Sequence, residues 1–244
     1  MNARKKEKME VKEIFYFDEP GPSNTDKILE LAKKRIEALG ILHVIIASQA
    51  GVTVKKFLEI TKNAKLNVNI LAVTNVKGGK IPIPSLYNQY KESKALKEDY
   101  QRKGITHFQA SISDEDRIEF EKRGVKVFYS PDILNIGEPR GLEGEWKLMR
   151  SKLSPFIPRH VRPLDIEAGT DLSLLTIISQ GFRVCVGVTV VSVRNGYVPE
   201  GETVLSMAGT GFAGGGSDTA LILQAHSNAK ACLVKEILGF PKLK

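Results

Sequence analysis

The spacing of apolar residues along this chain changes repeatedly, and each change marks a switch between strand and helix. After a charged leader, Ile14-Phe15-Tyr16-Phe17 predicts a short strand and Glu19-Pro20-Gly21-Pro22-Ser23-Asn24 a rigid turn. From Asn24 or Thr25, either able to cap a helix, Ile28, Leu31, Ala32, Ile36 and Leu39 recur at helical spacing until Gly40 stops them. Residues 42–47 then form a continuous apolar run of strand length, as expected of a parallel strand buried on both faces. The alternation continues with a helix from 53 to about 62, a strand at 68–73, and a long helix from near 84 to 103. Residues 106–110 and 125–129 predict two further strands, separated by an acid-led helix over 114–123.

Between 131 and about 169 the pattern weakens, because Pro139, Gly141, Gly144, Pro155, Pro158 and Pro163 interrupt any long element. A surface excursion or lid is expected there. The periodicity then predicts a helix over 171–180, a long apolar strand over 183–193, a turn over 194–197, a strand over 203–207 and a final strand over 220–225. Repeated βα units of this length predict an α/β fold, a three-layer α/β/α sandwich with a mostly parallel sheet and helices on both faces. Residues 1–12 read as a charged leader and 13–244 as one ligand-binding domain.

Composition adds little to that picture. No apolar run is long enough to span a bilayer, and the N-terminus is charged where a signal peptide would be apolar, so a cytoplasmic protein is expected. Cys185 and Cys232 lack a CxxC or CxH neighbour and read as small buried hydrophobes, with neither a disulfide framework nor a metal site. The net charge of +8 admits nucleic acid, acidic ligands or a solvated cationic surface. Basic residues alternate with acids along the helices, and aromatics are few among the basic runs, so nucleic acid is not an expected partner. Rich Lys, Glu and Ile usage fits a heat-adapted organism.

Two segments could hold a ligand. In Ala47-Ser48-Gln49-Ala50-Gly51-Val52-Thr53 a buried strand turns through glycine into a helix. A helix N-terminus presents unpaired amides and a positive dipole end to an anion, and Ser48 and Thr53 are placed to add hydroxyl donors. The plainer alternative is that Gly51 only makes the turn and Thr53 only caps the helix. The second segment runs from Ala208 to Thr219 and holds five glycines within residues 209–216. Its successive amides can form an anion-binding concavity; the alternative is a flexible hairpin loop. It has neither the Gly-Lys-Ser/Thr ending of a Walker A loop nor the following helix of a dinucleotide fingerprint.

Residues 194–209, with the glycine loop and Asp218-Thr219 after them, resemble the end of the pyruvate kinase C-terminal domain. Ser48, Gly51 and Thr53 match three positions of that domain's phosphate loop, whereas Ala50 and Val52 replace a hydroxyl and an arginine. The catalytic barrel of pyruvate kinase has no counterpart here, so its activity is not expected, and the departures put its sugar bisphosphate effector in doubt. Pro20-Gly21-Pro22-Ser23-Asn24-Thr25 and Gly214 to Thr219 are more similar to a small, mainly archaeal family of stand-alone proteins with this fold. That resemblance implies an FMN-binding protein of unknown reaction. It implies ligand contacts at Ser48, Gly51, Thr53, Gly209, Thr210, Gly211, Gly214, Gly215, Gly216, Ser217, Asp218 and Thr219.

No catalytic residue can be assigned. Of His43, His107, His160 and His226, two fall in strands, and His226 at the end of the final strand is the one expected nearest the pocket. Asp218 could orient a ligand hydroxyl or ring nitrogen, or only bond the backbone of its own loop. The alternative to a flavoprotein is a regulatory or sensor module for another phosphorylated metabolite. The sequence leaves a homo-oligomer open.

Overall fold

In the computed structural model, residues 11–82, 91–130, 172–210 and 215–242 are described. The chain order is β1 (Phe15–Phe17), a 3-10 turn (Pro22–Asn24), α1 (Thr25–Leu39), β2 (His43–Ala47), α2 (Val52–Ala64), β3 (Asn69–Thr74), β4 (Lys80–Pro82), α3 (Lys91–Arg102) and β5 (His107–Gln109). It continues with α4 (Asp114–Lys122), β6 (Lys126–Tyr129), a 3-10 segment (Leu172–Ile177), α5 (Gln180–Arg194), β7 (Thr203–Ala208), β8 (Thr219–Gln224) and β9 (Leu233–Pro241).

Seven strands form one sheet in the order β1-β9-β8-β7-β2-β3-β6. Strands β7, β2, β3 and β6 run parallel to one another, as do β1 and β9, while β8 is antiparallel to both its neighbours. Side chains alternate across this sheet with period two. Val44 and Ile46 of β2, Ile70 and Ala72 of β3, and Leu205 and Met207 of β7 join one core with α1, α2 and Phe120 of α4. Ile45, Leu71, Val73, Val204 and Ala208 join the other with Phe182, Cys185 and Val188 of α5. Helices therefore cover both faces, and the α/β sandwich with a mostly parallel sheet is present.

Helix α1 begins at Thr25 and ends where Gly40 takes the left-handed φ of +62°, as the sequence predicts. Four expectations need correction. Residues 183–193 are not a strand but the body of α5, which is buried on almost every side, from Phe182 through Val191. An all-round apolar helix shows no polar stripe, and its many valines imitate the composition of a buried strand. The expected helix at 171–180 is the shorter 3-10 segment, and Ser179, not Asp171, starts the helix by accepting from the Phe182 amide at 3.0 Å. The strand expected at 106–110 does not join the main sheet; β5 pairs antiparallel with β4 in a separate two-stranded sheet. Residues 220–225 are not the final strand either, since β9 follows and holds both β8 and β1. The expected lid at 131–169 and the start of the helix near 84 lie outside the described residues.

Candidate functional site

Strands β2 and β7 are parallel neighbours, with Ile46 opposite Met207. Each chain leaves its strand one or two residues later, so the Ser48 turn and the glycine loop emerge side by side at the carboxyl edge of the sheet. The chain leaves β2 for α2 on one face and enters β7 from α5 on the other. Both bends lie beyond the carboxyl ends of these strands, where ligands of open α/β sheets collect.

Hydroxyls stitch the two bends together. Thr53 Oγ1 lies 3.1 Å from Ser217 Oγ, and the Ser217 amide donates to Thr25 Oγ1 at 3.0 Å. Thr25, Thr53 and Ser217 are all buried. The loop passes so close to its surroundings that side chains are excluded. A Cβ on Gly209 would stand 2.4 Å from the Gly216 carbonyl oxygen, and one on Gly216, where φ is +106°, would stand 2.7 Å from Pro22. Gly209 and Gly216 are thus required by close approach, and the hairpin between β7 and β8 is anchored here.

Asp218 is the knot of this arrangement. Fully buried, its Oδ2 accepts from the Gly21 amide at 3.1 Å and from Thr210 Oγ1 at 2.8 Å, while Oδ1 accepts from Thr219 Oγ1 at 3.0 Å. The Thr210 amide also donates to it. Burial pushes this carboxyl up to about 6, against the downward pull of its four donors. Its acceptor capacity is spent on the protein itself, so it fixes the loop and the 19–25 turn.

The unspent groups are main-chain amides. Gly51, at φ +77°, precedes α2 without a side-chain cap, and Asn24 gives α1 none either, donating instead to the Glu19 carbonyl. By contrast, Ser113 and Ser179 cap α4 and α5. Ser48 Oγ accepts from the Gly51 amide at 3.0 Å, which leaves the amides of Val52, Thr53 and Val54 in the first turn of α2 without an intrahelical acceptor. In the same bend, Gln49 Oε1 is buried with no hydrogen-bond partner among the described residues.

The described candidates therefore come together: Ser48, Gly51 and Thr53 on one bend, Gly209, Thr210 and Gly215 to Thr219 on the other. Gly211 and Gly214 lie outside the described residues. The hydroxyls of Ser48, Thr53 and Ser217 are engaged with the protein, and Thr53 lies inside α2 and does not cap it. His226 is misplaced by the sequence reading. Because β8 runs antiparallel to β7, its end lies at the opposite edge of the sheet, where His226 Nδ1 stands 2.9 Å from Glu200 Oε1. Sequence reasoning missed Gly21 and Thr25 as site-forming residues, although the Pro20 to Thr25 run is a visible signal.

Among the described residues no cluster of three or more His, Cys, Asp or Glu could hold a metal ion, and no helix is long and apolar enough to cross a membrane. A scan against models of known protein families finds none that matches the chain.

Proposed function

We propose that this protein binds a phosphate-bearing small molecule at the carboxyl edge of the sheet, with FMN as the leading ligand and no reaction assigned. The observation that carries this reading is the uncapped first turn of α2 set directly against the glycine loop by the Thr53–Ser217 hydrogen bond. Uncapped amides at a helix N-terminus favour an anion through both their donors and the dipole. The phosphate of FMN suits them, and the unpaired Gln49 oxygen offers an acceptor to a ligand donor. FMN itself comes from the resemblance of the Pro20 to Thr25 and Gly214 to Thr219 segments to the stand-alone FMN-binding family.

A second reading, a sensor module for another phosphorylated metabolite, is favoured by one observation. Because the hydroxyls and carboxylate of the bends are spent on one another, recognition falls to main-chain amides, which read the phosphate and not what carries it. Titrating the purified protein with FMN, by quenching of flavin fluorescence, tests the first reading; saturable uptake that free phosphate competes away is expected. No uptake overturns it. Thermal stabilisation by a sugar bisphosphate in that case selects the sensor.

A further inference from the structure

At the opposite edge of the sheet lies a concavity with a volume of about 120 Å³. Its polar wall is set by strand register. His43, Asn69 and Lys126 are the first residues of β2, β3 and β6, three consecutive parallel strands. His43 pairs with Asn69, and Leu71, two residues on, pairs with Lys126. With a period of two, all three side chains share the sheet face that packs against α5. Tyr197, just beyond the end of α5, also lines the cavity and is held by its ring against Phe128, centroids 4.8 Å apart. Leu71 and Val198, both buried, give it an apolar floor, while Val44 and Ile70, whose side chains face the opposite core, border it through their backbone.

The lining contains a cation, an imidazole, a carboxamide and a phenol, and no carboxylate. Some lysines pair with acids, as Lys34 does with Glu30, Lys55 with Asp116, Lys77 with Asp114 and Lys103 with Asp99. Lys126 has no such partner among the described residues, and none of the four polar side chains of the cavity is engaged in an internal hydrogen bond there. A donor-rich, acid-free cavity over an apolar floor selects an anion. Its volume leaves room for a small ion. We infer that the amino edge of the sheet carries a second site, for a small oxyanion, in which Lys126 supplies the charge and His43, Asn69 and Tyr197 the orienting hydrogen bonds. It lies across the sheet from the glycine loop and does not depend on the ligand proposed there.

The test follows the His43 ring resonances of the full-length protein, assigned with His43→Gln, as inorganic phosphate and, separately, malonate are added. A saturable shift with either anion is expected, and the tighter of the two names the class, phosphate or carboxylate. Lys126→Met keeps the stem and removes the charge at an exposed position, and should weaken that binding at least about tenfold with an unchanged thermal midpoint. Resonances that stay put with both anions overturn the site. So does a saturable shift that Lys126→Met leaves equally tight.

Discussion

Thr53 on the first turn of α2 and Ser217 on the glycine loop share a hydrogen bond of 3.1 Å across 164 positions of sequence. That contact joins the two bends of the candidate site, so its loss should be felt as coupling. Thr53→Val preserves shape and removes the hydroxyl, and we expect each of Thr53→Val and Ser217→Ala to cost about 1 kcal/mol. The double variant should cost less than their sum by a comparable amount in urea unfolding. Strict additivity would show that the two hydroxyls do not interact.

Gly216 and Gly104 both take positive φ, but only Gly216 faces a wall. Gly216→Ala drives a methyl into Pro22 and should cost about 3 kcal/mol while abolishing FMN uptake. Gly104→Ala meets nothing within 4 Å and should cost only about 1 kcal/mol, with uptake intact. Equal costs for the two would remove close approach as the reason for glycine in the loop.

Asp218 holds its proton more tightly in the folded chain than its ordinary value of 3.8 allows, because burial raises it to about 6. Between those values the native state binds more protons than the unfolded one. The contribution of this group to stability is therefore greatest below that window and falls, by about 2–3 kcal/mol, as pH rises through it. Asp218→Asn cannot titrate. Plotted against pH, its stability difference from the parent should change across the window and be level above pH 7, as measured by denaturant midpoints. A difference flat throughout would place the carboxyl in an ordinary environment.

The two cysteines should react in sequence. Cys185 is fully buried on α5 and its thiol is pushed far up by desolvation, whereas Cys232 is half-buried and raised to about 11. Alkylation followed by mass spectrometry should label Cys232 slowly in the native protein and Cys185 only on unfolding. Native labelling of Cys185 ahead of Cys232 would contradict the packing of α5 against the sheet.

What the sequence discloses divides along physical lines. Helix α1 could be read because its buried Ile28, Leu31, Ala32 and Ile36 leave exposed polar positions between them, and Gly40 closes it. Strands β2 and β3 could be read because a short apolar run between turn signals has few other uses. Helix α5 could not, since burial of Cys185, Val186, Val188, Val190 and Val191 erases the helical stripe; its length and the Ser179 cap were the remaining clues. Strand β9 was hidden by irregularities in its pairing with β8, near Ala220 and Ile222, that break simple alternation. At the candidate site the glycines and hydroxyls announced themselves. Their mutual engagement did not, because the pairs Gly21–Asp218 and Thr25–Ser217 join segments almost a chain length apart.

The edge pairing of β1 with β9 has a temporal consequence. Translation delivers the first turn of α2 well before Ser217, and at ordinary elongation rates that interval is on the order of ten seconds. Through it the α2 amides face water, and β1 waits longer still for the strand that shelters it. A nascent chain therefore carries one bend without the other, and a ligand held between them, as proposed above, would have to await the second.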